Sequence, residues 1–254
     1  MQKIFVVIIS IIIMIIIKTI IHRQYFYINV NFPEKDCTKI IKNLSIKQFN
    51  LNNTLTWYIP KPLTHKIIIF LHGNSFNITW KSKILNQLSE NFIYPIICQD
   101  YLRGDNVHVE SMIKNTSKLV KYLFKNGYNK DRIIIFGESF GCAIGLKIAS
   151  KYKIKNVICY IGFRKMSDMI KILMPYYGNF IALFTSEFNN QEIIESTKLN
   201  VTLLNSPDDN LVNYSDIIKM AQETNTELLE ISGSHNYPNI PYDVFLRLKE
   251  KYLI

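Results

Sequence analysis

Gly137-Glu138-Ser139-Phe140-Gly141 is the stretch of the chain best equipped for chemistry. A serine hydroxyl is a poor nucleophile at neutral pH and needs a positioned base, an orienting acid and donors for the charge it creates. G-x-S-x-G carries weight only in context. Here the apolar run Ile133–Phe136 leads into it, and Ala143, Ile144, Leu146, Ile148 and Ala149 follow at helical spacing. Strand, sharp turn and helix together make a nucleophile elbow. Gly137 and Gly141 would let the two backbones pass closely, and the helix N-terminus would aim amide dipoles at an oxyanion beside Ser139.

The base must come from five histidines. His22 borders an apolar segment, while His65 and His108 fall in loops or at element starts. His72 opens the loop after a predicted strand, and His235 stands in Gly233-Ser234-His235-Asn236, between the last predicted strand and helix. Open α/β sheets place their sites on loops that follow the C-terminal ends of strands. Ser206-Pro207-Asp208-Asp209-Asn210 follows another predicted strand and offers two carboxylates, although the same residues are ordinary turn formers. Ser139, an Asp at 208 or 209, and His235 thus occur in the order Ser, Asp, His, each where a strand has just ended. The backbone N–H groups of Phe140 and of Asn74, the latter following the Gly73 turn, are the candidate oxyanion donors.

The elements that must position these residues alternate. Strands are expected over 46–49, 55–59, 66–71, 95–101, 133–136, 156–161, 201–205 and 227–231, and helices over 80–92, 110–125, 213–223 and 241–252. Asn52-Asn53 marks a hairpin turn. Buried strands alternating with helices predict an α/β domain, a mostly parallel central sheet covered by helices on both faces. Residues 163–195 hold aromatics and methionines without clean periodicity and are assigned to a short cap, with ordinary core packing as the competing account. Phe163, Met166, Met169 and Leu173 are its candidate substrate-binding residues.

Composition narrows the partners. The 254 residues and 48% apolar content suit one large domain. A net charge of +10 spread over scattered lysines argues against nucleic-acid binding and for attraction to an anionic membrane surface. Of the four cysteines, Cys98, Cys142 and Cys159 fall in apparent core elements, so no disulfide framework is expected around Cys37. No H-x-x-x-H, C-x-x-C, P-loop or G-x-G-x-x-G occurs, and neither a metal nor a nucleotide cofactor is expected.

Residues 4–17 form an unbroken apolar run, and a snorkelling Lys18 extends it to residue 21, about 18 residues and near the lower limit for crossing a bilayer. No small-x-small cleavage site follows, so residues 1–23 are assigned to an uncleaved membrane anchor and 24–45 to a connector, leaving 46–254 as the domain. Lysines and Arg23 after the span favour a cytoplasmic domain. Sequons at Asn43, Asn52, Asn77, Asn115, Asn200 and Asn213 argue for the lumen, but a glycan at Asn77 would obstruct the site.

The motifs FLHGN (70–74), QDYLRG (99–104), RIIIFGESFGCAIGLKIAS (132–150), GFRKMSDMI (162–170), SPDDNLV (206–212) and GSHN (233–236) resemble the α/β-hydrolase superfamily. Within it the chain is similar to the single-pass, membrane-anchored α/β-hydrolase-domain serine hydrolases. The group's D-x-x-V pattern, with Val212 as the valine, implies Asp209 as the acid and Asp208 as runner-up. The resemblance also implies ester or thioester hydrolysis on lipid-like acyl substrates. Cys142 stands where the group commonly has a second glycine, which puts a side chain beneath the elbow. A catalytically silent member acting as a membrane-bound interaction module is the alternative.

Overall fold

Two asparagines start the sheet. Asn52 and Asn53 take the left-handed backbone conformation, with φ of 53° and 63°, which asparagine tolerates better than most residues. They close a two-residue hairpin between β1 (Lys47–Leu51) and β2 (Thr54–Ile59). The computed structural model describes residues 36–63, 65–74, 77–101, 109–174, 176–182 and 188–252. The remaining strands are β3 (Ile67–Leu71), β4 (Ile96–Gln99), β5 (Ile133–Glu138), β6 (Asn156–Tyr160), β7 (Asn200–Asn205) and β8 (Glu227–Glu230).

These form one eight-stranded sheet in the order β1-β2-β4-β3-β5-β6-β7-β8. β2 runs antiparallel to both neighbours, and the strands from β4 across to β8 are parallel. After β3 the chain moves outward to β4 and then crosses back to β5 on β3's other side. The order reverses there, which leaves a crevice above the C-terminal ends of β3 and β5.

β3 is apolar throughout, and β5 from Ile133 to Phe136, because both faces of the sheet are covered there. Ile67, Ile69, Ile133 and Ile135 face α3 (Val109–Lys125), α4 (Phe140–Tyr152) and α8 (Tyr214–Glu223). Ile68, Phe70, Ile134 and Phe136 face α1 (Thr38–Asn43), α2 (Ser82–Asn91) and α9 (Tyr242–Tyr252). Neighbouring residues of one strand therefore belong to opposite cores, as the period of two requires. Among the described residues between β6 and β7 lie three short helices, α5 (Met166–Leu173), α6 (Gly178–Ala182) and α7 (Asn190–Ser196).

Residues 38–43, assigned to the connector, form α1, and Ile40 and Ile46 are buried in the same core as α2 and α9. Cys37 is buried as well, its thiol donating to the Thr79 carbonyl at 3.2 Å, and no disulfide joins the four cysteines. Among the described residues no helix is long and apolar enough to cross a membrane. The anchor expected at 1–23, with its apolar segment 4–21, lies outside the described residues.

Candidate active site

β5 runs through Glu138 and is followed at once by α4, so Ser139 alone makes the turn. Its φ of 50° and ψ of −113° lie where a side chain is strained, a cost of about 1–3 kcal/mol that the surrounding packing must offset. The glycines explain how the turn fits. A Cβ on Gly141 would lie 2.1 Å from the Leu71 carbonyl oxygen, and one on Gly137 would lie 2.6 Å from that of Gly141. Cys142 does not crowd the elbow: its thiol is buried and donates to the Gly137 carbonyl at 2.9 Å.

Ser139 is the N-cap of α4, a position where serine usually turns its oxygen onto the first helical amides. It makes no such bond here. Its Oγ instead lies 3.0 Å from His235 Nε2, and its own N–H donates to the Tyr160 carbonyl at 2.8 Å. His235 Nδ1 lies 2.8 Å from Asp209 Oδ2. The Asp209 carboxylate is only 1% exposed, and its Oδ1 accepts the N–H groups of Leu211 and Val212 at 2.8 and 2.9 Å. Asp209 is thus fixed by backbone on one oxygen and aimed at the imidazole with the other. Asp208 points to solvent.

The loop carrying His235 returns over the sheet from β8. Gly233, with φ of 91°, permits that turn: a Cβ there would lie 2.4 Å from the Tyr237 carbonyl oxygen. Asn210 steadies the loop by accepting the His235 N–H at 3.4 Å. Nothing in the sequence marks this role for Asn210, because Pro-Asp-Asp-Asn already reads as plain turn chemistry.

On the other side of the elbow stands the loop after β3. A Cβ on Gly73 would lie 3.3 Å from that of Ser139, so its backbone passes directly against the nucleophile. His72 is fully buried, with Nδ1 2.8 Å from the Gly73 carbonyl and Nε2 3.4 Å from Asp100. Tyr101 donates its hydroxyl to the His72 carbonyl, and burial pushes that phenol well above its usual range, helped by the nearby Glu138, Cys142 and Asp100. Asn74 follows in this loop, and Phe140 is the first residue of α4. The Gly73 N–H donates to Glu138 Oε2 at 3.2 Å, while Glu138 Oε1 accepts from Lys81 Nζ at 2.9 Å. A cavity of about 460 Å³ opens beside Glu138, walled by Trp80, Lys83, Gln87, Asn236 and Tyr237.

The cap residues divide. Phe163, Met166 and Met169 are buried in the core with α4 and α8, whereas Leu173 is 42% exposed. Beyond it Tyr176, Tyr177 and Phe180 are exposed too, the first by 93%. Among the described residues no group of His, Cys, Asp and Glu is placed to hold a metal ion.

No family model matches the chain. It is 26% identical over 218 residues to the uncharacterized protein R595 of Acanthamoeba polyphaga mimivirus, covering 74% of this chain and 72% of that protein. It is 25% identical over 172 residues to the protein bem46 of Schizosaccharomyces pombe, covering 64% of this chain and 57% of bem46. Among solved structures it is similar to the Pyrococcus furiosus esterase Pf2001, with a TM-score of 0.67 at 19% identity over 87% of this chain and 95% of the esterase. With β2 antiparallel in an otherwise parallel sheet and the elbow following β5, the chain has the α/β-hydrolase fold.

Proposed function

We propose that the chain is a serine hydrolase of carboxylic esters or thioesters, working through Ser139, His235 and Asp209. The observation that carries this reading is the unbroken relay from Ser139 Oγ to His235 at 3.0 Å and from His235 to Asp209 at 2.8 Å. His235 Nε2 takes the hydroxyl proton as Oγ attacks the acyl carbonyl, while Asp209 keeps Nδ1 protonated and stabilises the imidazolium. The N–H groups of Phe140 and Asn74 hold the tetrahedral oxyanion, each such donor being worth roughly 2.7–4 kcal/mol in comparable sites. His235 returns the proton to the leaving oxygen or sulfur, an acyl-Ser139 remains, and water activated by His235 releases the acid. The likeness in fold to an esterase supports the reaction class.

The substrate is a lipid-like acyl ester or thioester. The exposed Leu173, Tyr176, Tyr177 and Phe180 supply apolar surface for an acyl chain after β6. A tether through residues 4–21, holding the domain on the cytoplasmic side, brings such substrates within reach. A fluorophosphonate probe tests the reading on the full chain. Wild type is labelled on Ser139 and Ser139→Ala is not; folded wild type that takes no label is instead a silent interaction module.

A further inference from the structure

The reaction above leaves one partly buried ion pair without a task. Glu138 immediately precedes Ser139, is 12% exposed, and commits both carboxylate oxygens, one to the Gly73 N–H at 3.2 Å and one to Lys81 Nζ at 2.9 Å. Three separate pieces of chain meet at this carboxylate: the end of β5, the loop after β3, and the residue before α2. Lys81 stands on a fixed stalk. The short 3-10 turn Ile78–Trp80 is capped by Asn77 Oδ1 on the Thr79 N–H at 3.1 Å, and Cys37 bonds the Thr79 carbonyl.

A carboxylate in this place presents an electrostatic conflict. On the hydrolase reading the oxyanion forms between the residue after Ser139 and the residue after Gly73, and Glu138 directly precedes the nucleophile and accepts the Gly73 N–H. An uncompensated negative charge there opposes the charge that must develop, and a partly buried site screens it poorly. Lys81 supplies the compensation, with Lys83 lining the same cavity; Glu138 also helps hold the nearby Tyr101, Cys142 and Tyr160 in their protonated, neutral forms.

We infer that Lys81 and Glu138 are positioning residues for the oxyanion site: the carboxylate ties the Gly73–Asn74 backbone to the elbow, and Lys81 cancels its charge so that the oxyanion is not repelled. This rests on the serine-hydrolase reading of Ser139, and the pair acts through the loop without touching substrate.

The test measures kcat and KM of the full chain on p-nitrophenyl butyrate, with the melting temperature recorded alongside. The final extent of fluorophosphonate labelling counts folded sites, so a partly unfolded variant is still scored per active molecule. Lys81→Met leaves the carboxylate uncompensated and lowers kcat about tenfold or more with KM within about twofold, against the 10²–10³ loss typical of deleting an oxyanion donor outright. Lys81→Arg keeps kcat. Adding Glu138→Gln to Lys81→Met removes the offending charge, retains an acceptor for Gly73 and restores most of kcat, a coupling read by the double-mutant cycle. Unchanged kcat in Lys81→Met, whatever happens to its melting temperature, makes the pair purely structural and overturns the inference. A double variant no faster than Lys81→Met overturns it as well. Wild type that turns over no ester and takes no label overturns the underlying hydrolase reading instead, so the two failures are distinguishable.

Discussion

The elbow and the segment that follows β6 have both been assigned to one site, yet they are held in opposite ways. Around Ser139 the backbone leaves almost no freedom: glycines permit approaches that a single methyl would block, and the hydroxyl, imidazole and carboxylate are bonded in series. Among the described residues from Met166 to Ser196 there are three short helices, and the apolar residues of this segment split between the core and the outside. A reaction needs atoms fixed relative to one another, which strand ends provide. Choice among acyl chains needs only apolar surface of suitable shape, which short helices can supply without altering the sheet beneath.

Substitutions sharpen that contrast, beginning with the largest effect. Ser139→Ala and His235→Ala should each lower kcat by about 10⁶-fold, measured on a short-chain ester, with the fold retained by circular dichroism. Asp209→Asn should cost about 10⁴-fold by leaving the imidazole in the wrong tautomer, while Asp208→Asn stays near wild type. If the two aspartates exchange these outcomes, the acid is misassigned. Gly141→Ala should lose more than about 4 kcal/mol in urea unfolding or fail to fold, because its Cβ has no space beneath the Leu71 carbonyl. Phe163→Ala, a core truncation, should cost about 3–5 kcal/mol. Leu173→Ala should change stability by no more than about 0.5 kcal/mol and instead raise KM for long-chain esters relative to short ones. A Leu173→Ala variant with an unchanged chain-length profile would detach the outer cap from substrate binding.

The parts of this architecture that could be read from sequence were those that depend on neighbours along the chain. Unbroken apolar runs marked β3, β5 and β6, because strands covered on both faces carry apolar residues at every position. Asn52-Asn53 marked the hairpin, because few residue pairs accept two successive left-handed conformations. The G-x-S-x-G spacing pointed to the elbow. Helix α1 was missed: Thr38–Asn43 is too short for a helical period to register and gains its stability from packing against a core built by distant residues. Apolar content likewise could not say how far along the cap the buried face extends, since Met169 and Leu173 share one face of the helix and only the first is covered by the core. The Lys81–Glu138 pair was equally hidden, its members lying 57 positions apart with nothing local to join them.

Burial of the four thiols has a practical consequence for the reactivity of the native protein. Cys37, Cys98, Cys142 and Cys159 all lie inside, and burial raises the pKa of Cys98 and Cys142, so neither supplies a ready thiolate. An electrophile offered to the folded domain therefore meets an imidazole-linked alcohol without a competing sulfur. Thiol alkylation becomes a reporter of opening rather than of catalysis: iodoacetamide uptake should follow denaturation, while acylation at position 139 should vanish with it.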